Sequence, residues 1–114
     1  MDADELLALL AALGHRQRLN VLAALTGERV HVSELARRLG LSRPLLYMHL
    51  EKLQAAGLVE GDLELSADGK AMKFFRLVPF DVRLTPEAVL EAMASSAAPG
   101  ADAEVPPPED DRDP

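Results

Sequence analysis

The chain has 114 residues, 48% of them apolar and 27% charged, the make-up of one modest domain. It contains no cysteine, which excludes a disulfide, a thiolate zinc site and a cysteine nucleophile. The net charge of −7 is unevenly spread. Residues 14–57 hold Arg16, Arg18, Arg29, Arg37, Arg38, Arg43 and Lys52 against only Glu28, Glu34 and Glu51, whereas residues 97–114 carry −5 by themselves. A basic middle suggests a surface that faces a polyanion despite the acidic total. The longest apolar runs, such as Leu6 to Leu13, fall well short of the ~18 residues of a membrane span, and the amino terminus is acidic. A cytoplasmic protein with no membrane contact is expected.

Asp2 followed by Glu5 has the spacing of a capping box, and Leu6, Leu9, Leu10 and Leu13 then fall on one side of a first helix. Gly14 interrupts it. A second helix is expected from His15 to Leu25, with Leu19, Leu22 and Leu25 inward, Arg16 and Arg18 more exposed, and Thr26-Gly27 as its end. Val32, Leu35, Ala36 and Leu39 form the stripe of a short third helix that Gly40 terminates and whose outer face carries Arg37 and Arg38. Ser42 can cap a fourth helix. Its first turn tolerates Pro44, because the amide that proline lacks has no intrahelical partner there. Leu46, Leu50 and Leu53 face inward, and Gly57 stops it.

Beyond Gly57 the period changes from about 3.6 to about 2. Leu63 and Leu65 alternate with Asp62 and Glu64, Asp68-Gly69 signals a hairpin, and a return strand runs from Ala71 to Val78 before Pro79. Thr85 and Pro86 then supply a cap and an N1 proline for a last helix, Glu87 to about Ala94, with Val89, Leu90 and Met93 as its apolar side. From about Ser95 the composition turns to Ala, Pro, Gly and acid, too poor in apolar surface to offset the entropy of ordering. Residues 1–95 are thus expected to fold, and 96–114 to form a disordered acidic tail. The tail either competes with a polyanion for the basic surface or stays in solvent, and nothing in Pro106-Pro107-Pro108 suggests a fixed docking geometry.

The third and fourth helices have the size and spacing of a helix-turn-helix, and the hairpin stands in the place of a wing. Six ordered segments carry a closer likeness: Leu13-Gly14-His15, Arg18-Leu19-Asn20-Val21-Leu22, Val32-Ser33-Glu34-Leu35-Ala36, Leu39-Gly40-Leu41-Ser42-Arg43-Pro44, His49-Leu50-Glu51-Lys52-Leu53 and Ala56-Gly57-Leu58-Val59. Together they resemble the ArsR (SmtB) family of winged-helix repressors over about residues 6–93. The resemblance implies a fold that is mainly α with a β-hairpin wing, dimeric through its first and last helices, with the fourth helix in the major groove. Half-sites would lie roughly 10 base pairs apart.

On the fourth helix the outward positions are Ser42, Arg43, Leu45, Tyr47, Met48, Glu51 and Lys52. Ser42 and Arg43 occupy the first turn, where free amides point at nucleic acid. Leu45, Tyr47 and Met48 stand where family members commonly carry Thr, Ser and Arg or His, a departure that weakens hydrogen-bond readout. Leu45 can instead meet a thymine methyl and the Tyr47 hydroxyl a phosphate; the competing reading is packing against a neighbour or a partner protein. His49 matches a position often treated as DNA-contacting, but its spacing from Leu46 and Leu50 predicts a half-buried histidine bonding across the turn. Lys70, Lys73 and Arg76 on the wing can reach flanking phosphates, although Glu60, Asp62, Glu64 and Asp68 leave the hairpin net negative.

One metal site of the family uses two cysteines at the start of the third helix, where this chain has His31 and Ser33. His15, Glu28 and Glu34 are the remaining candidate ligands beside His31, so that nickel or zinc would need an atypical site. The favoured reading of His31 is a polar residue at a helix start. No nucleophile motif, phosphate loop or metal triad supports an enzyme. The expected function is an effector-responsive homodimeric regulator of operator DNA. The alternative is a winged-helix module for protein interaction, serving a second regulatory protein.

Overall fold

Asp2 and Glu5 form the expected reciprocal cap: the Glu5 amide donates to Asp2 Oδ1 at 2.8 Å and the Asp2 amide to Glu5 Oε1 at 2.9 Å. In the computed structural model, which describes residues 1–95, this cap opens α1 (Ala3–Leu13). The expected tail, 96–114, lies outside the described residues. Six further elements precede the last helix: α2 (Arg16–Leu25), β1 (Val30–His31), α3 (Val32–Leu39), α4 (Arg43–Ala55), β2 (Val59–Leu65) and β3 (Ala71–Leu77). The last helix is α5 (Pro86–Ser95). Two compact units result among the described residues, Ala8–Asp81 and a second that includes Met1–Leu7 and residues 82–95.

The core of the Ala8–Asp81 unit joins Leu9 and Ala12 of α1, Val21, Leu22 and Leu25 of α2, Val32, Leu35 and Ala36 of α3, Leu46, Leu50 and Leu53 of α4, and Val59 and Phe75 of the hairpin. Each fully buried leucine contributes about 1.5–3 kcal/mol, enough for this small core to hold three helices on a sheet. The α1 stripe differs from the expected one. Leu10 is exposed and Ala12 takes its place in the core. Leu19 of α2 is also outward, at 51% exposure, while Val21 is completely buried. The face of α2 is thus Val21, Leu22 and Leu25 with Arg18 half-buried beside them, one helical stripe that turns Arg18 towards His49.

The sheet is antiparallel in the order β1-β3-β2. Strand β1 has no counterpart in the sequence reading, since two residues are too few to show a period; Val30 and His31 pair with Phe75 and Phe74. Between β2 and β3, Ser66 and Gly69 close the turn through Gly69 N to Ser66 O at 2.9 Å and Ser66 N to Lys70 O at 2.8 Å, with Gly69 at φ 83°. The hairpin forms as expected but its burial does not alternate: Leu63 and Leu65 face solvent, because the core lies only under its base at Val59 and Phe75. Gly61 pairs with Phe75, and a β-carbon there would stand 2.9 Å from Phe75 Cε1 and 2.8 Å from Lys73 Cε. Glycine at this position lets both side chains lie across the ribbon.

In the other unit Ala3, Leu6 and Ala92 are buried. The Thr85 hydroxyl accepts from the Ala88 amide at 3.0 Å, which caps α5 as expected. The expected apolar side of α5, Val89, Leu90 and Met93, is exposed, Leu90 at 72%. Among the described residues no helix is long and apolar enough to cross a membrane.

Candidate nucleic-acid interface

Gly40, at φ 66°, reverses the chain after α3; the Leu41 amide donates to Ala36 O at 3.0 Å and closes the helix end. Two residues later Ser42 Oγ accepts from the Leu45 amide at 3.3 Å and starts α4. These two caps fix the angle between α3 and α4. Leu46, His49, Leu50 and Leu53 anchor the inner face of α4, so that Arg43, Pro44, Leu45, Met48, Glu51 and Lys52 point outward.

The side chains on that face differ in what they can offer. Arg43 and Lys52 have no ion-pair partner among the described residues, and Lys70 at the wing turn has none either. Leu45 and Met48 are 39% and 44% exposed. Tyr47 is partly buried against the core, its ring edge-on to Phe75 with centroids 6.4 Å apart.

Arg37 and Arg38 converge on one carboxylate. Arg37 Nε donates to Glu34 Oε1 at 2.9 Å, Arg38 Nε to Glu34 Oε2 at 2.8 Å, and Arg38 also reaches Glu28 at 3.4 Å. Hydrogen bonds from the two guanidiniums hold the Glu34 carboxyl at about 2, well below its ordinary value. On the wing, Arg76 pairs with Glu60 and Asp62, and Arg29 pairs with Glu64 while lying 4.1 Å over the Phe74 ring. Lys73 lies over Phe75 at 5.7 Å.

The four candidate metal ligands are each committed elsewhere or dispersed. His31 caps α3, its Nδ1 accepting from the Ser33 amide at 3.2 Å, with its ring edge-on to Phe74. His15 caps α2 in the same manner through the Gln17 amide. Glu28 and Glu34 serve Arg38. Among the described residues no three His, Asp or Glu side chains converge, so this donor set does not fit a transition-metal centre.

His49 is the correction of most consequence. It is 2% exposed, not half-buried, and its bond runs to Arg18 on α2 at 3.3 Å rather than across the turn. Its ring lies 4.6 Å from that of His15. Sequence spacing carries no signal for the Arg18–His49 bond, whose members are 31 residues apart.

A helix-turn-helix domain model matches residues 13–62, the stretch that holds α2, α3 and α4. Over 69 residues the chain is 39% identical to an uncharacterized HTH-type transcriptional regulator of Methanocaldococcus jannaschii, covering 60% of this chain and 72% of that one. This chain belongs to the helix-turn-helix transcriptional regulators. Reduced HlyU from Vibrio cholerae has a similar structure, with TM-score 0.57 at 28% identity over 79% of this chain and 83% of that one. The homodimeric winged helix-turn-helix DNA-binding domain Mb0332 from Mycobacterium bovis shares the fold alone, with TM-score 0.57 at 19% identity over 94% and 88% of the two chains. The regulator is a DNA-binding helix-turn-helix protein.

Proposed function

We propose that this regulator binds operator DNA as a homodimer, with the N-terminal half of α4 in the major groove of each half-site. One observation carries the reading: among the described residues the exposed α4 cations Arg43 and Lys52 are without carboxylate partners, while the arginines of α3 and the wing are ion-paired. Phosphate binding needs cations whose charge is not already compensated. Arg43, at the first helical position, is placed for a guanine edge or a phosphate, and Ser42 contributes its hydroxyl beside it. Lys52 follows two and a half turns later, on the opposite flank of the exposed arc, as a phosphate contact. Lys70 and Lys73 supply the wing contribution, and Arg37 and Arg38 flank it with charge that Glu34 offsets.

The exposed Val89, Leu90 and Met93 of α5, with Leu7 of α1, supply apolar surface for the second subunit. That Mb0332 is homodimeric supports the same assembly. Residues 1–95 form the DNA-binding and dimerisation domain in this reading, and the protein acts in the cytoplasm. An effector that controls DNA release is compatible with it, but His15, His31, Glu28 and Glu34 do not favour a metal in that role.

A gel shift of the chain on duplex DNA from its own upstream region, at physiological salt, tests the proposal. A retarded band with a steep loss of affinity as salt rises is expected. If no duplex is retarded and a second regulatory protein is bound through Leu45 and Met48, the interaction-module reading takes its place.

A further inference from the structure

We infer that α4 selects its site by the C5-methyl groups of thymine, received by Leu45 and Met48. The inference rests on the placement of α4 in the major groove. In a helix-turn-helix the N-terminal residues of the second helix meet the base edges. In the first two turns of α4 the outward side chains are Arg43, Pro44, Leu45 and Met48, since the Tyr47 ring is partly buried against Phe75. Arg43 alone among these four carries a hydrogen-bond donor for a base. Ser42 Oγ is already the acceptor for the Leu45 amide.

An apolar side chain set against the N7, O6, O4 or amino groups of a base strips their water without returning a hydrogen bond, which is unfavourable. The one apolar feature of the major groove is the thymine methyl. Leu45 and Met48 are three residues apart and so share a side of the helix, about 4.5 Å apart along its axis, close to the ~3.4 Å rise between stacked bases. The two side chains therefore fit methyls on neighbouring base pairs. The three torsions of Met48 let it adjust to either strand. Glu51, one turn further along the outward face, is an acceptor that suits a cytosine amino group at the edge of the same site.

The test begins with a randomised duplex pool selected on the full-length protein. The recovered duplex is then synthesised with deoxyuridine for every thymine, which removes the methyls and leaves base pairing and hydrogen-bonding edges unchanged. Affinity is expected to fall about fourfold for each methyl that is buried. The double variant Leu45→Ala, Met48→Ala should bind the two duplexes alike, and Met48→Leu should keep the discrimination. Equal affinity of the unaltered protein for both duplexes overturns the methyl reading while DNA binding stands. A pool from which no duplex is recovered at any salt overturns the placement of α4 in the groove, and this inference with it.

Discussion

Arg18 Nε donates to His49 Nδ1 at 3.3 Å, and Arg18 Nη1 donates to the carbonyl of Ala11 at 3.1 Å. One guanidinium on α2 thereby ties down both the end of α1 and the inner face of α4, the helix proposed to meet DNA. Because Nδ1 accepts, His49 is neutral with its proton on Nε2. Burial first, then the neighbouring His15 and Arg18, lower its pKa from the ordinary 6.5.

Stability should follow that titration. The unfolded chain takes up a proton near 6.5 and the folded one only at lower pH, so the contribution is complete above 6.5 and is lost as pH falls through the folded value. Thermal melts between pH 8 and 5 should show this decline, and His49→Gln should flatten it. Arg18→Met leaves the buried acceptor unmet and is expected to cost about 1–3 kcal/mol in urea unfolding at pH 7.5. An unchanged melting curve for Arg18→Met would refute the tie.

The contrast between paired and unpaired arginines predicts opposite responses in DNA binding. Arg43→Ala should lose about 1–3 kcal/mol of affinity, concentrated at one base position if the contact is a guanine edge. Lys52→Ala should weaken all sequences alike. Glu34→Gln releases Arg37 and Arg38 from an exposed ion pair, at a stability cost of about 0–1 kcal/mol. It should strengthen non-specific binding and steepen the slope of log affinity against log salt by about 1–2. A Glu34→Gln protein with the parent salt slope would show that neither arginine faces phosphate.

The dimer is checked at α5. The full-length chain should sediment at about twice 12.3 kDa. Leu90→Glu should sediment as a monomer at micromolar concentration with its circular dichroism unchanged, because Leu90 is largely exposed within the single chain. A dimer that persists in this variant places the subunit contact elsewhere.

Gly61→Ala tests the hairpin. The added methyl meets the Phe75 ring, which is held in the core and cannot retreat as the end of Lys73 can. Destabilisation of about 1–3 kcal/mol is expected in denaturant titration; a neutral result would mean that the ribbon shifts freely over Phe75.

Residues 97–114 bear −5 per chain, a charge that either competes with DNA for Arg37, Arg38, Arg43 and Lys52 or stays in solvent. Removing them is expected to alter DNA affinity little beyond the change in overall charge. Titrations of truncated and full-length protein at two salt concentrations check this. Tighter non-specific binding that fades as salt rises would instead reveal competition by the tail.

The local elements were legible in the sequence because their signals are local. The Asp2 and Glu5 box, Ser42 before Pro44, Gly40 at a left-handed turn, Asp68-Gly69 and Thr85-Pro86 each act within four residues of themselves, and each stands where its chemistry predicts. The inner stripe of α4 was equally plain, since leucines at 46, 50 and 53 leave one possible face. Ordered segments that resemble the ArsR type added the expectation of α4 as the reading helix.

Which side of α2 faces inward was decided only by packing. Leu19 and Val21 are both apolar, and the choice between them depends on Arg18 reaching His49, a partner 31 residues away that no periodicity displays. The same holds for charge: the count of basic residues in the middle of the chain is a property of sequence, but which cations remain unpaired is a property of distance. Arg37 and Arg38 share Glu34, Arg76 is taken by Glu60 and Asp62, and Arg43 and Lys52 are left outward on α4. Coulomb attraction falls off with separation in space, not along the chain, so the sign of the surface was set by composition and its usable positive charge by the tertiary fold.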